Sequence, residues 1–184
     1  TIQAIPDGIR QLATMQTVSL ALLENGDVWS WGFNHQGQLG RLAQPAQNSA
    51  AVVDGLPAIA SLACGSAHAL ALDKSGSVWS WGANQAGQLG DGTLKSSGLP
   101  VRVALPEPIA SVAAGDTHSL ALDAAGQLWA WGANNHGQTG SADGAYFTRP
   151  VKIQTDFPVR KIDGGQFYTA ALSEQGEVFA WGWN

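Results

Sequence analysis

Apolar and polar positions alternate with a period of two along His68–Asp73, where His68, Leu70 and Leu72 interleave with Ala69, Ala71 and Asp73. That period predicts a strand with two distinct faces. Lys74-Ser75-Gly76 supplies a tight turn, and Val78 and Ser80 then alternate with Trp79 and Trp81, so both indoles project from one side of the returning strand. Gly82 ends it. A short apolar run, Ile59–Cys64, precedes the pair, and a polar loop, Ala83–Gly98, leads to a fourth strand expected around Val101–Leu105, closed by Pro106 and Pro108. Nothing in this stretch has helical periodicity.

The same unit recurs. Trp31, Trp81, Trp131 and Trp181 stand 50 residues apart, each followed by glycine, and Trp29, Trp79, Trp129 and Phe179 lie two residues earlier. The hairpin glycines Gly26, Gly76, Gly126 and Gly176 keep that step. The array is read as a single repeat domain over 1–184, with units at about 4–53, 54–103, 104–153 and a truncated 154–184. Residues 1–3 match the outer strand of a preceding or neighbouring unit. A four-stranded sheet apolar on both faces cannot shield itself from water, so neighbouring sheets must cover it. Side-by-side four-stranded units of this length predict an all-β fold, a β-propeller with an incomplete array of about four blades. The Trp pairs Trp29/Trp31, Trp79/Trp81 and Trp129/Trp131, with Trp181, are then structural, each buried indole contributing roughly 2–3 kcal/mol to a blade seam.

Composition narrows the function. The net charge is -5 with only nine Lys and Arg, and no basic run is available to neutralise phosphates, so nucleic acid is not an expected partner. No apolar run approaches the roughly 20 residues of a membrane helix, so no membrane partner is expected. Cys64 is the only cysteine, which rules out an intrachain disulfide or a Cys-based zinc site. No nucleotide-binding loop, dinucleotide fingerprint or nucleophile elbow occurs, and no cofactor or metal is expected.

The string W-G-x-N-x-x-G-Q-x-G runs through Trp31–Gly40, Trp81–Gly90 and Trp131–Gly140. Upstream stand Gly65-x-x-His68 and Gly115-x-x-His118, each leading into Leu-Ala-Leu-Asp. Together these resemble the regulator of chromosome condensation repeat family over essentially the whole chain. Val18 and Tyr168 replace the histidine in the first and fourth units. The resemblance implies a propeller whose G-x-x turns gather on the ring face where the family commonly meets its partners. Full rings of the family usually carry more blades than this chain. Three closures are open: a segment of a longer ring, two copies closing around each other, or four blades closing alone.

His68 and His118 invite a catalytic reading, but they recur at equivalent positions, which favours satisfying backbone groups of the turn. Asn34, Asn84, Asn134, Gln38, Gln88 and Gln138 could recognise a ligand amide, yet short amides more often tie down their own Gly-rich loop. Glu24, Asp73, Asp123 and Ser173 are read as one register position before the hairpin turn, and Cys64 as packed inside a sheet. No catalytic residue is assigned. The candidate binding strip is Gln16, Thr17, Ser66, Asp116, Thr117, Gln166 and Phe167, with Tyr146 and Phe147 on a rival loop, Ser141–Thr148. Further rivals are Arg41–Ser49 and Leu94–Gly98.

The expected function is a non-enzymatic protein-protein interaction module that binds a protein partner of unknown identity. Its other neighbours would be further blades, from the parent chain or a second copy. Guanine-nucleotide exchange on a small GTPase of the Ran type is the first alternative, and an inhibitor or recognition domain of a larger bacterial secreted protein the second.

Overall fold

The computed structural model describes residues 5–42, 49–106 and 108–183. Thr1–Gln3 and residues 43–48 of the first long loop lie outside the described residues. The described chain is all β, with no helix. Its first sheet holds β1 (Ile9–Thr14), β2 (Val18–Leu23), β3 (Val28–Gly32) and β4 (Ala51–Val52). The second holds β5 (Ile59–Cys64), β6 (His68–Asp73), β7 (Val78–Gly82) and β8 (Ser97–Arg102). The third follows with β9 (Ile109–Ala114), β10 (His118–Asp123), β11 (Leu128–Ala133) and β12 (Tyr146–Ile153). The fourth comprises β13 (Val159–Gly164), β14 (Tyr168–Ser173) and β15 (Val178–Gly182). Every sheet is an antiparallel meander, so sequence neighbours are spatial neighbours.

Three hydrophobic clusters occupy the gaps between successive sheets. Leu20, Leu22 and Val28 of the first sheet meet Ile59, Leu62 and Trp81 of the second. Leu70, Leu72 and Val78 meet Ile109, Ala121 and Trp131. Leu120, Leu122 and Leu128 meet Val159, Ile162 and Ala171. Strand alternation therefore sends even positions of the second strand toward the following sheet and odd positions toward the preceding one. The first strands also meet in sequence, β1 with β5, β5 with β9 and β9 with β13, which places them innermost. This is a β-propeller array of about four blades.

Two local features depart from the sequence reading. The outer strand of the second sheet is Ser97–Arg102, four residues earlier at its start than Val101–Leu105, because a bulge between Ser80 and Gly82 lets Ser97 pair with Gly82. Leu23, not Glu24, ends β2 where Asp73, Asp123 and Ser173 end their strands. The first hairpin is consequently tied by Asn25 and Asp27, with the Asp27 amide donating to Asn25 Oδ1 at 2.9 Å. In the second, Asp73 Oδ1 accepts from the amides of Ser75 and Ser77 at 2.8 and 3.0 Å.

Candidate functional site

The glycine-rich loops are built by amides of their own sequence. Asn84 Oδ1 accepts from the Leu89 amide at 2.9 Å, while its Nδ2 donates to the Thr93 and Lys95 carbonyls. Asn134 does the same through Thr139 and the Asp143 and Gly144 carbonyls, and Asn34 through Leu39. Gln38, Gln88 and Gln138 each accept, through Oε1, from the amide two residues earlier. With the side chains spent inward, the loop carbonyls point at the next blade. The Gln38 carbonyl receives Trp81 Nε1 at 3.0 Å, and the Gln88 carbonyl receives Trp131 Nε1 at 2.9 Å. Of the paired indoles, Trp81 and Trp131 are fully buried, whereas Trp29, Trp31, Trp79, Trp129 and Trp181 are half-buried.

His68 and His118 play a different structural part from the one expected. Rather than closing the turn's own backbone, His68 Nε2 reaches Ser119 Oγ of the next blade at 2.9 Å, and His118 Nε2 reaches Thr169 Oγ1 at 3.0 Å. Ser119 commits its proton to the Gln88 carbonyl and Thr169 its proton to the Gln138 carbonyl, so each imidazole donates from Nε2 as the neutral tautomer. Burial pushes the His68 pKa down to about 3, with His118 repulsion adding to it and the Asp116 carbonyl opposing. Burial likewise lowers His118 to about 4. Groups held neutral and locked this way are poorly suited to proton transfer near neutral pH. The Cys64 thiol, on β5, is pushed up to about 12 by burial, which leaves it unreactive as a thiolate.

The G-x-x turns converge at one end of the sheets. Gln16, Ser66, Asp116 and Gln166 line one cavity of about 290 Å3, a ring of turns drawn from all four sheets. Ser66 donates to the Asp116 carbonyl through both amide and Oγ, at 3.1 and 2.8 Å, tying adjacent turns together. Thr17, Thr117 and Phe167 stand beside the third-strand ends, whose residues Phe33, Ala133 and Trp183 donate their amides to those three carbonyls. Gln16, Thr17 and Gln166 are exposed, while Ser66, Asp116, Thr117 and Phe167 are half-buried.

Two aromatic groups crown this end. Trp183, 59% exposed, stacks on His136 at 4.9 Å between centroids, and Phe167 leans on both at 5.4 and 5.2 Å. Phe33, 58% exposed, stacks on His35 at 5.6 Å. Trp183 and Phe33 escaped the sequence reading because the equivalent residues, Ala83 and Ala133, are small and buried; an aromatic breaking the repeat was the available signal. Tyr146 also lies at this end, pairing with Ala133, and is exposed. Phe147 packs into the seam between second and third sheets, leaving Tyr146 as the available side chain of that pair. At the opposite, hairpin end a cavity of about 880 Å3 is lined by Trp129, Lys152, Phe157 and three prolines. Among the described residues no group of three or more His, Cys, Asp or Glu could hold a metal ion, and no helix is long and apolar enough to cross a membrane.

Side-by-side four-stranded sheets, seamed by indoles and bearing a polar-aromatic turn face, define a propeller-type repeat protein. The chain belongs to the RCC1-like domain family, whose model matches residues 1–184. It is similar to human WBSCR16, at 27% identity and a TM-score of 0.89, covering 95% of this chain and 47% of that one. It is also similar to yeast RCC1 (Prp20), crystallised bound to Kap60, at 27% identity and a TM-score of 0.86, covering 98% of this chain and 45% of that one. A further structure of Prp20 from Saccharomyces cerevisiae, described with its binding to Gsp1p and histones, matches at 29% identity and a TM-score of 0.80, covering 98% of this chain and 47% of that one. The chain thus spans about half the length of these relatives. A search of curated proteins returned no match.

Proposed function

We propose that the chain is a non-enzymatic protein-interaction module whose contact surface is the turn end of its blades. The observation that carries this reading is the convergence there of Gln16, Ser66, Asp116 and Gln166 with the exposed aromatics Phe33, Tyr146 and Trp183. Aromatic anchors set among hydrogen-bonding groups are the composition of protein contact surfaces. Ser66 is bonded to the Asp116 carbonyl of the next blade, and the Phe33 and Trp183 amides to the Thr17 and Phe167 carbonyls of their own blades, so little conformational entropy is lost when a partner docks. The mechanism is display: stacked sheets fix the turns, and the turns present one preformed surface.

A photo-crosslinking benzoylphenylalanine placed at position 167 tests the assignment against the same group at position 156, on the hairpin-end cavity. Adducts with a partner protein from position 167 alone are expected; adducts from position 156 alone would move the contact surface to the other end.

A second reading, guanine-nucleotide exchange on a Ran-type GTPase, is favoured by the similarity to Prp20, a protein described as binding Gsp1p. Release of labelled nucleotide from a Ran-type GTPase separates the two. An unchanged rate supports display alone, and acceleration establishes exchange.

A further inference from the structure

The hairpin ends of the second and third sheets carry equivalent residues that are used differently. In the second sheet the corner closes on itself. Asp73 Oδ1 accepts from the Ser75 and Ser77 amides and from Ser75 Oγ, and Asp73 Oδ2 accepts from Trp79 Nε1 at 3.1 Å. Arg102, opposite Trp79 on the outer strand, donates through Nη2 to Ser77 Oγ at 3.1 Å. In the third sheet the same positions hold Asp123, Ala125, Gln127 and Trp129, with Lys152 opposite Trp129. Ala125 brings no hydroxyl, and Gln127 turns its Nε2 back to the Leu128 and Ile153 carbonyls, at 2.9 and 2.8 Å. Asp123 Oδ1 accepts from the Ala125 and Gln127 amides, while Trp129 Nε1 is left buried with no acceptor among the described residues. Lys152 and Asp156 are exposed, and neither makes a hydrogen bond or ion pair among the described residues.

Where the third corner fails to close, the cavity of about 880 Å3 takes its place; the cavity beside the second hairpin measures about 310 Å3. Its lining joins the half-buried indole of Trp129 and the ring of Phe157 to Asp123, Lys152 and Asp156. Phe157 stacks on Phe179 at 3.8 Å, and Thr155 Oγ1 donates to the Phe157 carbonyl, so that wall is fixed. The lining residues belong to the third sheet and to the linkers on either side of it, inside the array. An aromatic cavity of this size with a few polar groups is the usual setting for a small-molecule ligand. The polar groups define its class. Lys152 donates, whereas the Asp123 and Asp156 carboxylates accept, and a hydroxyl can answer both. A neutral ligand also escapes the repulsion that two carboxylates impose on an anion and a lysine on a cation. A flat indole asks the same ligand for a flat apolar surface. A sugar ring has both, hydroxyls at its edge and C–H groups on its face.

We propose that the hairpin end of the third sheet is a carbohydrate-binding site, taking a neutral sugar ring with its C–H face on Trp129 and its hydroxyls between Lys152 and Asp156. The site lies at the opposite end of the sheets from the protein contact surface and does not rest on it. A proline-rich peptide would also suit an aromatic cleft, but its backbone offers carbonyl acceptors with few donors and leaves the two carboxylates unanswered.

Proton–nitrogen correlation spectra of the 184-residue chain, which resolve the indole N–H signals, test this against neutral trisaccharides of glucose, mannose, galactose and N-acetylglucosamine. At least one sugar is expected to shift the Trp129 Nε1 signal saturably while the Trp79 signal stays in place; no saturable shift from any of them overturns the proposal. Lys152→Ala and Asp156→Ala change exposed side chains, so folding is expected to survive, and each should weaken binding about tenfold. Unchanged binding in both variants would overturn the placement of the sugar in this cleft. Ala125→Ser, Gln127→Ser and Lys152→Arg together rebuild the closed corner of the second sheet. That variant should lose the shift while keeping the wild-type circular dichroism spectrum, and one that binds as wild type does would overturn the link between the open corner and the ligand. Tighter binding of a polyproline peptide or an oligogalacturonate than of every neutral sugar would overturn the ligand class.

Discussion

At the level of single residues, His68 and His118 tie stability to pH. Both are fully buried, and burial holds their pKa values near 3 and 4, below the ordinary histidine value of 6.5. Between those values and 6.5 the unfolded chain binds protons that the folded chain refuses, so stability falls as pH drops through that window. The slope is on the order of 1 kcal/mol per pH unit for each histidine. Urea unfolding at pH 7 and pH 5 should show this loss, and it should shrink in the His68→Gln, His118→Gln double variant; an unchanged pH dependence in that variant would remove the histidines as its cause. Gly65 presses on the same group: a Cβ there would meet the His68 ring, which has no room to move. Gly65→Ala should therefore cost about 1–3 kcal/mol by overpacking, measurable by urea denaturation.

Those residue roles were only half legible in the sequence. That His68 and His118 recur, and so belong to the architecture, follows from their spacing. That they reach Ser119 and Thr169 does not, because each partner lies 51 residues away across a gap between sheets. Leu23 shows the opposite failure. The first hairpin lacks the aspartate seen at Asp73 and Asp123, and a neighbouring carboxylate, Glu24, was the nearest substitute by chemistry though not by register.

At the level of elements, the loop after each third strand links sequence to seam. Asn84 bonds the Leu89 amide and the Thr93 and Lys95 carbonyls, fixing the loop whose Gln88 carbonyl receives both Trp131 Nε1 and Ser119 Oγ. Among the described residues, Asn34 Oδ1 accepts from the Leu39 amide at 3.0 Å and its Nδ2 donates to the Arg41 carbonyl at 3.5 Å. Asn84→Ala should therefore cost about 2–3 kcal/mol, since it leaves the buried Leu89 amide unpaired. An unchanged melting temperature in Asn84→Ala would contradict the link between loop and seam. Strand positions were readable here because alternation and hairpin glycines mark them directly. The start of β8 was not, because the bulge opposite Gly82 shifts its pairing without leaving a period in the sequence.

At the level of the whole molecule, the fifty-residue recurrence of indole and glycine was enough to read a row of sheets that dry one another's faces. The proposed contact surface at the turn end came only through the family resemblance, and the aromatic crown of Phe33, His136 and Trp183 at that end was not readable, because those side chains break the repeat rather than follow it. The central claim is that neighbouring sheets, not any sheet alone, keep the indoles from water. Indole N–H hydrogen exchange, followed residue by residue by nuclear magnetic resonance across all eight tryptophans, tests it directly. Trp81 and Trp131, enclosed and bonded to loop carbonyls of the preceding blade, should exchange slowest, and Trp183 should exchange at once. Rapid exchange at Trp81 and Trp131, matching Trp183, would contradict it.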